Sequence, residues 1–429
     1  MKKYNIPIVP RKLLIPFLLV TLLFGLWGFA NSITDPMVQA FKKVLELSNS
    51  QAAWVQMAFY GGYFCMALPA AFFLKKYSYK KGILAGLFLY SLGALLFYPA
   101  SIYEEFWFFC LSLYILTFGL AFLETAASPY ILSMGHKKTA IQRLNLAQFF
   151  NPFGLIAGLL VAQQFILKKL KSDDVLNFSS LDFEEKLLIK SSDLIIIRDP
   201  YVILGLVILI FFFVILFYKM PENKELNIKM SSRDLIMKLI TNRLYVSGVL
   251  AQSFYVGAQI MCWTYIYQYS EALEIGMSDA SKFQFIAFIM FFTGRGVGTF
   301  LLKYVNSAKL MMIFSINASL LIVGTIFIDN YLGLYCLVLT SFFMSIMFPT
   351  IYGLSLKGMS EDESKIGAAG LVMAIVGGAL MPKMQGYIID LGGNSVDDII
   401  IMGVSEINIS FALPLLCFIY ILIFSKRNL

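Results

Sequence analysis

The 429-residue chain carries little charge. Asp, Glu, Lys and Arg make up 14% of it, where a soluble domain is normally about a quarter charged. With 59% apolar residues it lacks the polar surface to cover a water-soluble core, so lipid is the solvent it fits. It has one histidine, His136, in a polar stretch between apolar runs, which leaves no histidine proton relay. Its five cysteines, Cys65, Cys110, Cys262, Cys336 and Cys417, are scattered through apolar stretches without metal-type spacing, which argues against a zinc site or a disulfide framework. No phosphate-cradling GxxxxGK[ST] string is present, which excludes an ATP-driven pump built from this chain alone. No HExxH string or paired catalytic constellation supports an enzyme, and no cofactor is implied. Disordered, collagenous and DNA-reading classes are excluded by the same composition.

What the chain has in abundance is long apolar runs. Twelve are long enough to cross a hydrocarbon core of about 30 Å as helices: 13–35, 51–74, 82–101, 106–133, 144–167, 200–218, 244–270, 283–302, 310–328, 331–356, 366–389 and 403–424. The first is too long for a cleavable signal and lacks a small-residue cleavage site. Short alternating β-barrel strands are not seen.

The net charge of +8 is a topology signal. If the N-terminus is cytoplasmic, the cytoplasmic segments hold 23 basic residues and six acidic ones, and the opposite side holds nine basic and 18 acidic. Positive charge concentrated in short cytoplasmic loops is the expected pattern, so nucleic acid is not an expected partner. Residues 168–199 read as a long polar outer loop, and 219–243 as a charged cytoplasmic linker. The linker divides the chain into 1–218 and 244–429, two bundles of six spans. Segments 74–80 and 302–309 echo each other at an offset of about 228 residues, in keeping with parallel repeats around a central site.

Four charges stand out within the spans: Asp35, Glu124, Arg295 and Lys383. Each costs about 2.5–3.5 kcal/mol at the bilayer centre on insertion scales, which makes intramembrane charges functional candidates. Trp27, Asn31 and Asp35 recur at i, i+4, i+8 on one face. A ring, an amide and a carboxylate on one stripe suit a sugar, the ring packing on its apolar face and the polar groups taking its hydroxyls. The residues leave a second reading open, in which Asp35 is solvated at the outer interface beside Pro36. Glu124 lies deep in the fourth span with Thr117 and Ser128 on its face. A buried carboxylate binds and releases protons near neutral pH; the alternative is a neutral group bonded between helices. Asn145, Gln148 and Asn151 follow an i+3 spacing, as cavity lining or as helix–helix glue. Gln252, Tyr255, Gln259 and Trp263 share one arc of the seventh span. Arg295 sits among Gly294, Gly296 and Gly298, free to hold a carboxylate, take sugar hydroxyls or snorkel. Tyr352, in a Phe-Pro-Thr-Ile-Tyr string, lies 228 residues after Glu124. Lys383, near the outer end of its span, is expected to snorkel. The pairs Gly82/Gly86, Gly154/Gly158 and Gly294/Gly298 mark close helix packing.

Several strings resemble the fucose:proton symporters of the major facilitator superfamily over essentially the whole chain. They are Gly25-Leu26-Trp27-Gly28-Phe29-Ala30-Asn31 with Asp35, Ala58-Phe59-Tyr60-Gly61-Gly62-Tyr63-Phe64, Leu123-Glu124-Thr125-Ala126-Ala127-Ser128-Pro129, and Arg143-Leu144-Asn145-Leu146-Ala147-Gln148. The C-terminal half adds residues 255–263, Phe348-Pro349-Thr350-Ile351-Tyr352-Gly353, Leu356-Lys357-Gly358 and residues 377–382. The resemblance implies an all-α membrane protein with twelve transmembrane helices in two six-helix bundles. It also implies a proton-coupled monosaccharide importer working by alternating access in a bacterial inner membrane, monomeric, with both termini cytoplasmic and the proton as coupling ion. By the same match Asp35 and Glu124 couple protons. Trp27, Asn31, Asp35, Gln148, Asn151, Gln259, Arg295 and Tyr352 meet the sugar, L-fucose or a related hexose such as glucose or galactose. Three departures from the family pattern are present: Ser32 where the fucose carriers have a second Asn, Ser128 where Asn is usual, and Lys383 where a small apolar residue is usual; two of them are expected near the cavity, so the sugar need not be fucose. An uncoupled facilitator, a drug/proton antiporter of the same fold and a transport-dead sensor are the competing readings.

Overall fold

The apolar runs form helices because a peptide group in lipid has no water to bond and must be satisfied within its own segment. The computed structural model of the chain describes residues 6–47, 49–174, 181–221, 232–389, 391, 399–401 and 403–429. Within them, the side chains of 35, 36, 38, 39, 42, 43, 49–53, 56, 167, 173, 174, 232, 277, 278 and 401 fall outside the description. Among the described residues, eleven helical segments are long and apolar enough to cross a membrane. They are spans 1 (Arg11–Thr34), 2 (Met57–Lys76), 3 (Tyr79–Tyr103), 4 (Phe106–Ser133), 5 (Lys137–Ile166) and 6 (Phe183–Phe217). After them come spans 8 (Asp279–Leu301), 9 (Ser307–Phe327), 10 (Tyr331–Ser355), 11 (Glu361–Ile389) and 12 (Glu406–Arg427). The helix Arg243–Thr264 is span 7. It is missing from the eleven because Gln252, Ser253, Gln259 and its tyrosines dilute the apolar content. Its polar residues face protein, with Gln252 and Tyr255 fully buried.

Helix ends follow the local chemistry. Ser78 caps the helix Tyr79–Leu95, accepting from the Lys81 amide, and Asn242 caps span 7 through the amides of Leu244 and Tyr245. Ser360 and Glu363 form a reciprocal capping box at the start of span 11. Two expectations are corrected. The stretch 168–199 is not a loop throughout: the helix of span 6 begins at Phe183 and runs 35 residues. Its first turn carries Glu184 and Glu185, which favour a helix N-terminus, and Leu187, Leu188, Leu194 and Ile197 continue it. Span 12 begins at Glu406 and not at 403, because Val404–Ser405 pairs antiparallel with Ile400–Ile401. The stretch 219–243 also contains a helix, Ser232–Thr241, whose Lys238 pairs with Glu363 of span 11.

Packing obeys a rule of adding six. Span 1 packs on 5, 2 on 4, 3 on 4 and 3 on 6; span 7 packs on 11, 8 on 10, 9 on 10 and 9 on 12. The contacts between the bundles obey it too: 2 with 11 and 8 with 5, 4 with 11 and 10 with 5. Glycine permits the closest approaches. A Cβ on Gly154 would overlap the Gly25 carbonyl, and one on Gly294 the Phe342 carbonyl. The first contact locks spans 1 and 5 together, and the second locks 8 and 10.

Candidate functional site at the bundle interface

Three spans break where the bundles meet. Span 5 is two helices, Ala140–Gln148 and Phe150–Val161; span 10 is Tyr331–Met344 and Met347–Ser355; span 11 is Glu361–Met373 and Gly377–Ile389. A helix end exposes carbonyls that need donors. Arg295 of span 8 supplies them for two of these breaks: Nη1 donates to the Gln148 carbonyl at 2.8 Å and Nε to the Ser345 carbonyl at 2.7 Å. The guanidinium also lies 4.6 Å from the Phe291 ring centroid. A cation at two helix C-termini is favoured by the backbone dipoles. Arg295 is buried, so it does not snorkel.

Glu124 is buried on span 4, and Ser128 Oγ donates to its Oε1 at 3.0 Å, as their i, i+4 spacing allows. Arg295, Tyr63 and Tyr352 all lie within electrostatic range of this carboxylate. Tyr352, from the opposite bundle, is fully buried, and its hydroxyl approaches Ser128 without completing a hydrogen bond. The Tyr255 hydroxyl faces the Arg295 guanidinium in the same incomplete way. Trp27 is half-buried and donates through Nε1 to the Tyr63 hydroxyl. Its ring lies 6.2 Å from Phe348, which lies 6.0 Å from Tyr255 and 6.4 Å from Tyr352. An aromatic row thus crosses from one bundle to the other beside the carboxylate.

The amides of span 5 divide by role. Gln148 is buried, and its side-chain Nε2 has no hydrogen-bond partner among the described residues. Asn151 donates to the Phe24 carbonyl at 3.3 Å, tying span 5 to span 1. Asn145 reaches Thr350 Oγ1 of the other bundle at 3.3 Å, and Gln142 reaches the Thr299 carbonyl at 3.2 Å. These two are clamps between bundles; the i+3 spacing was legible, but not that Gln142 extends it. Lys365 adds a further link at the same end, its Nζ 5.2 Å from the Tyr79 ring centroid while it pairs with Glu361 at 2.8 Å. Each clamp hydrogen bond is worth about 1 kcal/mol. Gln142→Ala combined with Asn145→Ala is therefore expected to shift the balance toward the state open at this end. Cysteine labelling there should rise several-fold in the double variant, and unchanged labelling would show that the clamps carry no conformational weight.

Other expected residues fall elsewhere. Asn31 and Gln259 are half-buried, and neither joins the buried polar layer. Asp35 belongs to the helix Leu14–Val44, but its side chain lies outside the described residues. Lys383 is exposed with its ammonium 6.0 Å from the Tyr387 ring, as snorkelling requires. His136 is exposed and accepts from the Lys138 amide through Nδ1. Trp263, on the Gln259 arc, is committed to Ser341 Oγ at 3.2 Å.

Comparison with known proteins agrees with this arrangement. A family model described as Major Facilitator Superfamily matches residues 20–382. The chain is 52% identical to an L-fucose-proton symporter of Haemophilus influenzae, over 99% of this chain and 98% of that one. It is 29% identical to a glucose/galactose transporter of Brucella abortus, over 94% and 91% respectively. The crystal structure of the E. coli fucose:proton symporter superposes with a TM-score of 0.86 at 34% identity, covering 98% of this chain and 100% of that one.

Proposed function

This chain belongs to the major facilitator superfamily, and from that premise we infer that it is a proton-coupled monosaccharide importer working by alternating access between two six-helix bundles. It is a multi-pass membrane transporter and not an enzyme. We assign the bundles to 1–218 and 244–429, joined by 219–243, with both termini cytoplasmic, in keeping with the basic excess of the cytoplasmic segments. In that orientation the clamps Gln142–Thr299 and Asn145–Thr350 close the cytoplasmic end. L-Fucose is the first candidate sugar, since the relative at 52% identity is named for it. A related hexose such as galactose is the second.

The observation that carries the reading is a polar layer buried between the bundles. Glu124 and Ser128 come from one bundle and Tyr352 from the other, and the aromatic row of Trp27, Phe348 and Tyr255 flanks them. Hydroxyl-rich ligands need such a mixture of aromatic faces and convergent polar atoms. Glu124 and Asp35 are the proposed coupling carboxylates. Protonation removes the desolvation penalty of carrying a bare charge through a closed state. Trp27, Gln148, Arg295 and Tyr352 are the proposed site walls, with Asn31, Asn151 and Gln259 at their margins. All the proposed site residues come from one chain, in keeping with a monomer.

Proteoliposomes test this directly. An acidic exterior is expected to drive uphill uptake of labelled L-fucose or galactose, and a protonophore to abolish it. Uptake that only equilibrates would make the protein an uncoupled facilitator. Absence of flux for every sugar, with efflux of apolar cations, would make it a drug antiporter.

A further inference from the structure

Span 7 carries a side chain with no structural explanation. Gln252 is fully buried, and among the described residues neither its Oε1 nor its Nε2 has a hydrogen-bond partner. Leaving buried polar groups unpaired costs about 1–3 kcal/mol each. A buried amide in that condition needs a partner that comes and goes. Gln252 also has a definite direction. Span 7 and the second helix of span 10 run side by side: a Cβ on Gly248 would meet Ser355 Oγ, and the Tyr255 ring faces Phe348. Gly248, Gln252 and Tyr255 share one helix face at i, i+4, i+7, and Phe348, Tyr352 and Ser355 share one at the same spacing. Reading the two faces antiparallel, Gln252 stands opposite Tyr352, whose hydroxyl is also unpartnered. Beyond Tyr352 lie Ser128 and Glu124 of the other bundle.

Resting on the sugar:proton reading, we propose that Gln252 is a sugar-hydroxyl ligand and a specificity-determining residue, set on the C-terminal bundle beside Tyr352. An amide both donates and accepts, so Gln252 can hold two neighbouring sugar hydroxyls at once, one through Nε2 and one through Oε1. A site built to bond a hydroxyl rejects an analogue lacking it far more strongly than an apolar pocket can reject an added group. Span 7 therefore contributes to the choice among hexoses, while the carboxylates of spans 1 and 4 handle the proton.

The test compares wild type, Gln252→Leu and Gln252→Met, of matching size, for flux of L-fucose and D-galactose and for thermal unfolding with and without each sugar. The preferred sugar's half-saturation concentration is expected to rise at least about tenfold, the loss of one hydrogen-bonding group to a buried partner. The sugar-induced rise in unfolding temperature should disappear. The sugar-free protein should melt no lower than wild type, because the variants remove orphaned polar atoms and keep the volume. Variants with unchanged half-saturation and an unchanged sugar-induced shift would overturn the assignment, as would loss of folding in both, which would make Gln252 structural. Wild type that moves no sugar would instead sink the symport reading on which the proposal rests.

Discussion

Glu124→Gln is expected to abolish accumulation of sugar against its gradient while leaving exchange of labelled for unlabelled sugar within about threefold of wild type, a change of roughly 0.7 kcal/mol. The carboxylate is buried and has one hydroxyl donor, Ser128, at 3.0 Å. The nearby Arg295 guanidinium has two of its donors occupied by backbone carbonyls. Carrying a bare charge through a dry interface is costly, so the neutral form is the one that crosses. Glutamine has the shape of the protonated acid and holds that state permanently. The substrate-loaded protein can still rock, but the proton no longer links its direction to the pH gradient. One proton moving down one pH unit supplies about 1.4 kcal/mol, enough for about tenfold accumulation per coupled proton. Counterflow and pH-driven uptake in the same vesicles separate the two activities. Uphill uptake that persists in Glu124→Gln would move the coupling site elsewhere, with Asp35 the next candidate. Loss of counterflow together with accumulation would mean that Glu124 binds the sugar itself.

Arg295→Lys is expected to lower transport by about two orders of magnitude, equivalent to about 2.7 kcal/mol. The charge is kept and the fork is lost. Arg295 spans two carbonyls on different spans, one from each side of the bundle interface, with a planar pair of donors. A lysine ammonium is a point charge on a flexible stem and cannot hold both with that geometry. One of the Gln148 and Ser345 carbonyls then loses its donor inside the protein, a penalty of about 1–3 kcal/mol. The Gln148 bond joins the two bundles, so the conformational equilibrium should shift along with the rate. Flux and the unfolding temperature are the measurements. Wild-type flux in Arg295→Lys would show that charge alone suffices there. Lost flux with unchanged unfolding temperature would place the arginine's role in sugar contact and not in joining the helix ends.

The spans and the buried carboxylate were legible for a local reason. An apolar run of about 20 residues identifies a crossing helix without reference to anything distant. The same is true of the Glu124–Ser128 pair, because residues four apart on a helix meet whatever surrounds them. Lys383 belongs with them: a lysine near a span end escapes along its own stem. Other features depended on partners far along the chain. Arg295 offered several roles in sequence, and its principal partners are 147 and 50 residues away. Asn145, Gln148 and Asn151 look alike in their i+3 row, yet one clamps the bundles, one has an amide nitrogen without a partner among the described residues and one ties two helices together. On span 7 periodicity gathered Gln252, Tyr255, Gln259 and Trp263 on one arc. It could not tell which of them the neighbouring span would leave buried and unpaired.

By itself the sequence determined that the chain lives in lipid, where its apolar spans run and which charges within them stood out. These follow from transfer energies and short-range helix geometry, which act residue by residue. Only the tertiary structure decided which spans of the two halves touch, through a contact pattern that repeats when six is added to each span number. It alone placed Tyr352 against Ser128 and turned Arg295 onto two helix ends. A polar atom buried in a membrane protein takes its meaning from whatever satisfies it, and for the interface between these bundles that partner comes from the other half of the chain.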